Sequence, residues 1–204
     1  MFQLSELQQD TLTEIINIGM GSAAAALSIM VNDEIRLSVP QVSFINYHEI
    51  NHQLADLNIA SLAGVRQSFS GGLSGDAILI FPSDKSIEIV RLLLSSSLPM
   101  ATEEFSSFEQ EALSEVGNII LNAGISAIAN TLHFSVDSTL PIYRQGDLST
   151  MIPPADSDQV VMILRVDLEM EQRQVKGYVV YLMDIDSIDQ LIQHIDGYIA
   201  SIPA

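Results

Sequence analysis

Asp10-Thr11-Leu12-Thr13-Glu14-Ile15-Ile16-Asn17 returns 101 residues later as Glu111-Ala112-Leu113-Ser114-Glu115-Val116-Gly117-Asn118. In both copies 22 residues separate the asparagine from a proline, Pro40 in the first and Pro141 in the second. Recurrence at a fixed offset marks an internally duplicated architecture. It also gives each half an acid and a carboxamide on one segment.

Around the first copy, Ser5-x-x-Gln8 has the form of a capping box, and Leu12, Ile15, Ile16, Ala23, Ala26, Leu27 and Met30 recur at helical spacing. The pattern predicts a long helix to about Val31, kinked near Gly19 and Gly21. Around the second copy, Ser106-x-x-Glu109 opens a helix whose apolar face (Leu113, Val116, Ile120, Ile125, Ile128) runs toward Leu132, with a bend at Gly124. A strand-like segment follows each, Ile35 to Tyr47 and Phe134 to Tyr143. The proline inside each cannot donate to a ladder, so it belongs on an edge, at a bulge or at a strand end.

Further strands are predicted at Ile59 to Phe69, Asp76 to Phe81, Val160 to Met170 and Val175 to Met183. Gly71 to Gly75 reads as a turn and Glu171 to Gln174 as a hairpin connection. Helices at Ser83 to Leu93 and Asp186 to Ile192 close the two halves, and Gln145 to Asp158 reads as an exposed loop. Neither half alone has the strands of a comfortable sheet. The predicted fold is therefore α+β: a single pseudo-twofold domain over residues 1–204, with helix-strands-helix repeats at approximately 1–98 and 102–204. Their strands merge into one antiparallel sheet, and the two long motif helices pack on one face of it.

Composition narrows the function. With 204 residues and 48% hydrophobic content the chain can bury a core. It has no cysteine, which excludes disulfides, thiolate metal sites and a thiol nucleophile. A formal charge of −18 with only eight Lys and Arg repels phosphate backbones and anionic lipid, so neither nucleic acid nor membrane is an expected partner. The apolar stretch Ile15 to Val31 is broken by Asn17, Gly19, Gly21 and four alanines, a poor membrane span. Met1 to Glu6 lacks the basic start of a secretory signal, so a cytoplasmic location is expected.

At 100° per residue, Asp10, Asn17 and Gly21 fall within about 60° of Glu14, whereas Leu12, Ile15, Ile16 and Ala23 lie opposite. Glu14 and Asn17 are thus expected to face solvent together, as are Glu111, Glu115, Asn118 and Asn122. A polar stripe alone is what any surface helix shows. Asparagine in mid-helix is a different matter, because its side chain competes for backbone hydrogen bonds, yet it occurs in both halves. A carboxamide is neither base nor nucleophile, but its fixed donor and acceptor can hold a water in line with a labile phosphoryl group. Glutamine does this in GTPases. A glutamate one turn away could anchor a cation on the partner, an arrangement suited to hydrolysis of an acyl phosphate carried by another protein.

These residues resemble the CheC, CheX and FliY family of bacterial chemotaxis phosphatases. That family's signature is Asp or Ser, three residues, Glu, two residues, Asn, then twenty-two residues to Pro. Asp10, Glu14, Asn17 and Pro40 meet it fully; Glu115, Asn118 and Pro141 meet it in the second copy, where Glu111 stands in place of Asp or Ser. The run from Glu14 to Ser28 is similar to the family's glycine- and alanine-rich continuation, and two motifs make the chain most similar to CheC-type members. The resemblance implies dephosphorylation of a phosphorylated CheY-type response regulator. Asn17 and Asn118 would orient the attacking water, and Glu14 and Glu115 would dock the regulator's lysine. Asp10 and Glu111 would contribute to binding, while Pro40 and Pro141 shape the strand beneath the helix. No cofactor is expected on this chain, and Mg2+ is expected on the phosphorylated partner. CheD is implied as a candidate second partner. Ile16 stands where the family commonly has the glycine that Gly117 keeps, which suggests a different approach of the partner at the first site.

Two other strings need an answer. His48-Glu49-Ile50-Asn51-His52 matches the zinc-protease H-E-x-x-H, but it directly follows a predicted strand. Ala55 and Asn58 also stand where the extended motif needs Gly and His, so no metal site is expected. Gly71 to Asp76 is followed by a strand and lacks the lysine of a phosphate loop. The rival function is a non-catalytic scaffold of the same family that binds a response regulator, CheD or the flagellar switch.

Overall fold

The computed structural model describes residues 4–54, 61–93, 103–152, 154, 160–170 and 173–202. The order is α1 (Glu6–Val31), β1 (Ile35–Asn46), a 3-10 turn (Tyr47–Glu49) running into α2 (Ile50–Gln53), β2 (Leu62–Gly71), β3 (Gly75–Pro82), α3 (Ser83–Leu93), α4 (Glu103–Thr131), β4 (Val136–Ser138), β5 (Ile142–Gly146), α5 (Leu148–Met151), β6 (Val160–Met170), β7 (Arg173–Met183) and α6 (Ile185–Ser201). The strands form one antiparallel sheet in the order β1-β6-β7-β3-β2, with β4 and β5 both laid against the outer side of β2. The α+β class and the single antiparallel sheet are as the sequence predicts.

Strand order shows how the halves combine. β1, from the first half, pairs with β6 of the second; β4 and β5, from the second, pair with β2 of the first. At the centre β3 meets β7, with Ile78 opposite Val180 and Leu79 opposite Val179, a register that a twofold axis between those pairs leaves unchanged. Each half therefore completes the other's sheet.

Alternation along the strands sends side chains to two cores. On one face Ala77, Leu79 and Phe81 of β3 and Val179, Tyr181 and Met183 of β7 meet Leu12, Ile16, Met20 and Leu27 of α1 and Leu113, Val116 and Ile120 of α4. Burial of each large aliphatic side chain there stabilises the fold by about 1.5–3 kcal/mol before entropy is counted. The opposite face carries a smaller core of Ile78, Ile80, Ile163 and Val180, roofed by Ile50 and Leu54 near α2 and by Met151 and Ile152 at α5. By length and hydropathy α1 and residues 107–131 could cross a bilayer, but here their apolar faces supply the core.

Ser5 and Gln8 form the expected capping box, Ser5 N–H donating to Gln8 Oε1 at 2.9 Å and Gln8 N–H to Ser5 Oγ at 3.3 Å. Other local expectations change. Both long helices run unbroken through the glycines read as kinks. A Cβ on Gly19 would lie 2.6 Å from the Ala123 carbonyl oxygen and 2.8 Å from Ala127 Cβ, so Gly19 is where α1 and α4 touch. A Cβ on Gly124 would meet Tyr181 Oη at 2.6 Å. The α4 helix starts at Glu103, ahead of the expected Ser106 cap, and α6 continues past Ile192 because Ile195 extends its buried stripe. The expected loop from Gln145 holds the end of β5 and α5, with Met151 and Ile152 buried. The predicted 134–143 strand is two strands separated at 139–141. Parts of the predicted 59–69 strand, of the 145–158 segment and of the 171–174 connection, and most of the link between the halves, lie outside the described residues.

Candidate functional site

The proline strands carry the same irregularity. Along β1, three steps from Ser38 to Gln41 face two steps of β6 from Asp167 to Arg165. Along the β4 and β5 line, four steps from Ser138 to Ile142 face three steps of β2 from Phe69 to Arg66. One extra residue at each proline leaves backbone groups without ladder partners, the signature of a bulge. Pro40 sits on the edge strand β1 and Pro141 in the gap between the edge strands β4 and β5, as the missing donor requires.

In the first half the Asn17 side chain fills this gap. Its Oδ1 accepts from Val39 N–H at 3.0 Å, and its Nδ2 donates to the Val39 carbonyl at 3.3 Å and to the Thr13 carbonyl at 3.0 Å. The carboxamide thus imitates a neighbouring strand. Elsewhere along the same edge Gln9 Nε2 donates to the Val42 carbonyl at 3.1 Å and Ser28 Oγ accepts from Ile35 N–H at 2.9 Å. Three side chains of α1 in this way occupy outward backbone groups of an edge strand that would otherwise invite another chain.

The second half is built differently. Thr139 N–H donates to the Ser68 carbonyl at 2.9 Å, and Gln67 Nε2 donates to the Thr139 carbonyl at 2.6 Å, so β2 itself closes the interruption. Asn118 is half-buried and its Oδ1 accepts from Asn122 Nδ2 at 2.7 Å, while its Nδ2 has no partner among the described residues. The stitching by Gln67 and Thr139 carries no short-range sequence signal.

The acids lie where helical geometry puts them. Asp10, Glu14, Glu111 and Glu115 are all exposed, and none forms an ion pair or hydrogen bond with a described residue. Asn17, by contrast, is half-buried and committed to Val39, so Glu14 and Asn17 do not face solvent together. Ile16 is fully buried in the sheet-side core. Its counterpart Gly117 also points inward, where a Cβ would lie 2.6 Å from Val65 Cβ. The Ile16 difference therefore concerns the seating of helix on sheet and not the approach of a partner. Pro40 lies in β1 directly after the clamped Val39, and Pro141 is half-buried between β4 and β5.

The H-E-x-x-H string has other work. Glu49 caps the short 3-10 turn, accepting from Asn46 N–H at 3.0 Å. His48 is exposed, and His52 borders a cleft of about 250 Å3 with Gln41, Arg165 and Tyr178 on the sheet face away from the motif helices.

An antiparallel sheet completed by strands exchanged between two halves, with an acid and carboxamide helix in each, defines a duplicated α+β protein. The chain matches the model of the CheC-like family over residues 7–44, the span from just before Asp10 to just past Pro40. It is 22% identical over 199 residues to the CheY-P phosphatase CheC of Bacillus subtilis, covering 92% of this chain and 93% of that one. Among solved structures, Thermotoga maritima FliY shares the fold at a TM-score of 0.78 and 21% identity, over 97% of this chain and 100% of that one. The CheX-CheY-BeF3-Mg+2 complex from Borrelia burgdorferi matches at a TM-score of 0.56 and 15% identity, over 84% of this chain and 99% of that one.

Proposed function

We propose that this chain is a phosphatase that hydrolyses the aspartyl phosphate of a CheY-type response regulator. The observation that carries the reading is the exposed Glu115, without an ion pair among the described residues, one turn before an Asn118 whose Nδ2 has no partner among them. Glu115 binds the regulator's active-site lysine, which fixes α4 across the phosphorylation site. Asn118 then sits beside the phosphoryl group, its Nδ2 free to donate and its Oδ1 holding a second lone pair for a water. That water attacks phosphorus as the acyl oxygen departs, giving inorganic phosphate and the free aspartate. Mg2+ on the regulator belongs to the partner and neutralises charge there. Positioning supplies the rate, as in phosphoryl transfer generally.

Glu14 and Asn17 repeat the arrangement at the first site, but the Asn17 carboxamide must leave Val39 before it can hold a water. That commitment favours a second reading for site one alone, docking without catalysis. Timed loss of phosphate from a phosphorylated regulator tests both. Wild type should accelerate it; Asn118→Ala should lower kcat about a hundredfold, and Asn17→Ala should lower it much less. No acceleration by wild type ends the phosphatase reading, and full activity of the Asn17→Ala, Asn118→Ala double variant ends the site assignment.

A further inference from the structure

The duplication extends to a pair of apolar side chains beside the acids. Leu7, 58% exposed, stands three residues before Asp10, and Phe108, 43% exposed, stands three residues before Glu111. On the helix Leu7 lies about 20° from Glu14, and Ile18, one turn beyond, lies about 40° to the other side. Ile18 is 57% exposed. Glu14 is thus flanked along one line by two exposed aliphatic side chains, and Glu115 by Phe108 and the half-buried Ile119. Leu140, 85% exposed, directly precedes Pro141. Single exposed apolar residues are ordinary. Recurrence at the motif's own offset is not.

Magnitudes show why the acids need them. An exposed ion pair changes an equilibrium by about fivefold at most, and screening by salt weakens it further. A charge of −18 speeds encounter with a basic patch but does little to hold it. Retention comes from a few large side chains buried at the centre of an interface, where they also exclude water from the neighbouring ion pair.

We propose that Leu7 and Phe108 are the apolar anchors of the two docking sites, each seated in apolar surface beside the lysine of a response-regulator receiver domain. The identity of the occupant rests on the phosphatase reading. Charge complementarity favours it: four carboxylates, none paired with a described residue, line the two stripes, so the partner presents a cation, and the four-carbon stem of a lysine is the surface an adjacent Leu or Phe covers.

The test uses the full chain with Leu7→Ser, Phe108→Ser and, separately, Leu7→Met, Phe108→Leu. With a phosphorylated CheY-type regulator, the serine pair should raise KM about tenfold with kcat within twofold and an unchanged melting temperature, while the conservative pair should keep both constants within twofold. An unchanged KM, or a loss confined to kcat, overturns the anchors. Should wild type not accelerate dephosphorylation, the phosphatase reading fails, and calorimetric titration with the beryllium-trifluoride-loaded regulator then decides the anchors. Binding by wild type that the serine pair weakens about tenfold upholds them; equal binding, or none by wild type, overturns them.

Discussion

Asn17 and Asn118 occupy one position of a repeated motif and do different things. The Asn17 carboxamide satisfies both backbone groups of Val39 at a bulge, whereas Asn118 bonds, among the described residues, only to another side chain. Removing a side chain that leaves partly buried backbone groups unpaired costs about 1–3 kcal/mol. Asn17→Ala should therefore lower the free energy of urea unfolding by that amount, and Asn118→Ala by less than about 0.5 kcal/mol. Equal losses would refute the clamp. The fixed spacing of 22 residues from asparagine to proline acquires a structural cause in the first half, because residue 39 is the one held.

Among the elements, the two long helices show what could be read in advance. Their 3.6-residue apolar pattern foretold which side of α1 enters the core, and it placed the four acids outside. It could not distinguish a glycine that permits bending from one that permits contact, since both lack a Cβ. Gly19 and Gly21 separate the cases: a Cβ at Gly19 collides with α4, while nothing lies within 4 Å of one at Gly21. Gly19→Ala should destabilise by about 1–3 kcal/mol through forced separation of the helices. Gly21→Ala should stabilise by about 0.5–1 kcal/mol through helix propensity. Paired denaturation curves check the opposite signs. The misread elements share one cause. Burial of Met151 and Ile152 depends on the far face of the sheet, and the half-burial of Asn17 on a strand 22 residues away, neither of which leaves a local pattern.

For the molecule as a whole, two phenols, one half-buried and one fully buried, set its tolerance of alkali. Burial, assisted by the nearby Glu109 carboxylate, pushes Tyr143 up to about 12, and burial alone pushes Tyr181 upward in the centre of the main core. Unfolded tyrosine ionises near pH 10. Below that pH the folded and unfolded states hold these protons alike; as pH rises toward 12 the unfolded chain releases them first, so stability falls. Absorbance at 295 nm should show the fully buried Tyr181 ionising only together with loss of the far-ultraviolet helix signal. Tyr143→Phe should move that transition to higher pH.

The exchanged edge strands carry a consequence for ancestry. A single unduplicated half would have a proline strand with no hairpin of its own to join and a hairpin lacking its outer strand. Two such chains can satisfy each other only by swapping, around a true twofold axis through the β3 and β7 pair. The present protein is in effect that swapped homodimer fused into one chain. Within one chain the two asparagines need not be alike, and here Asn17 holds an edge strand while Asn118 meets only the Asn122 side chain among the described residues.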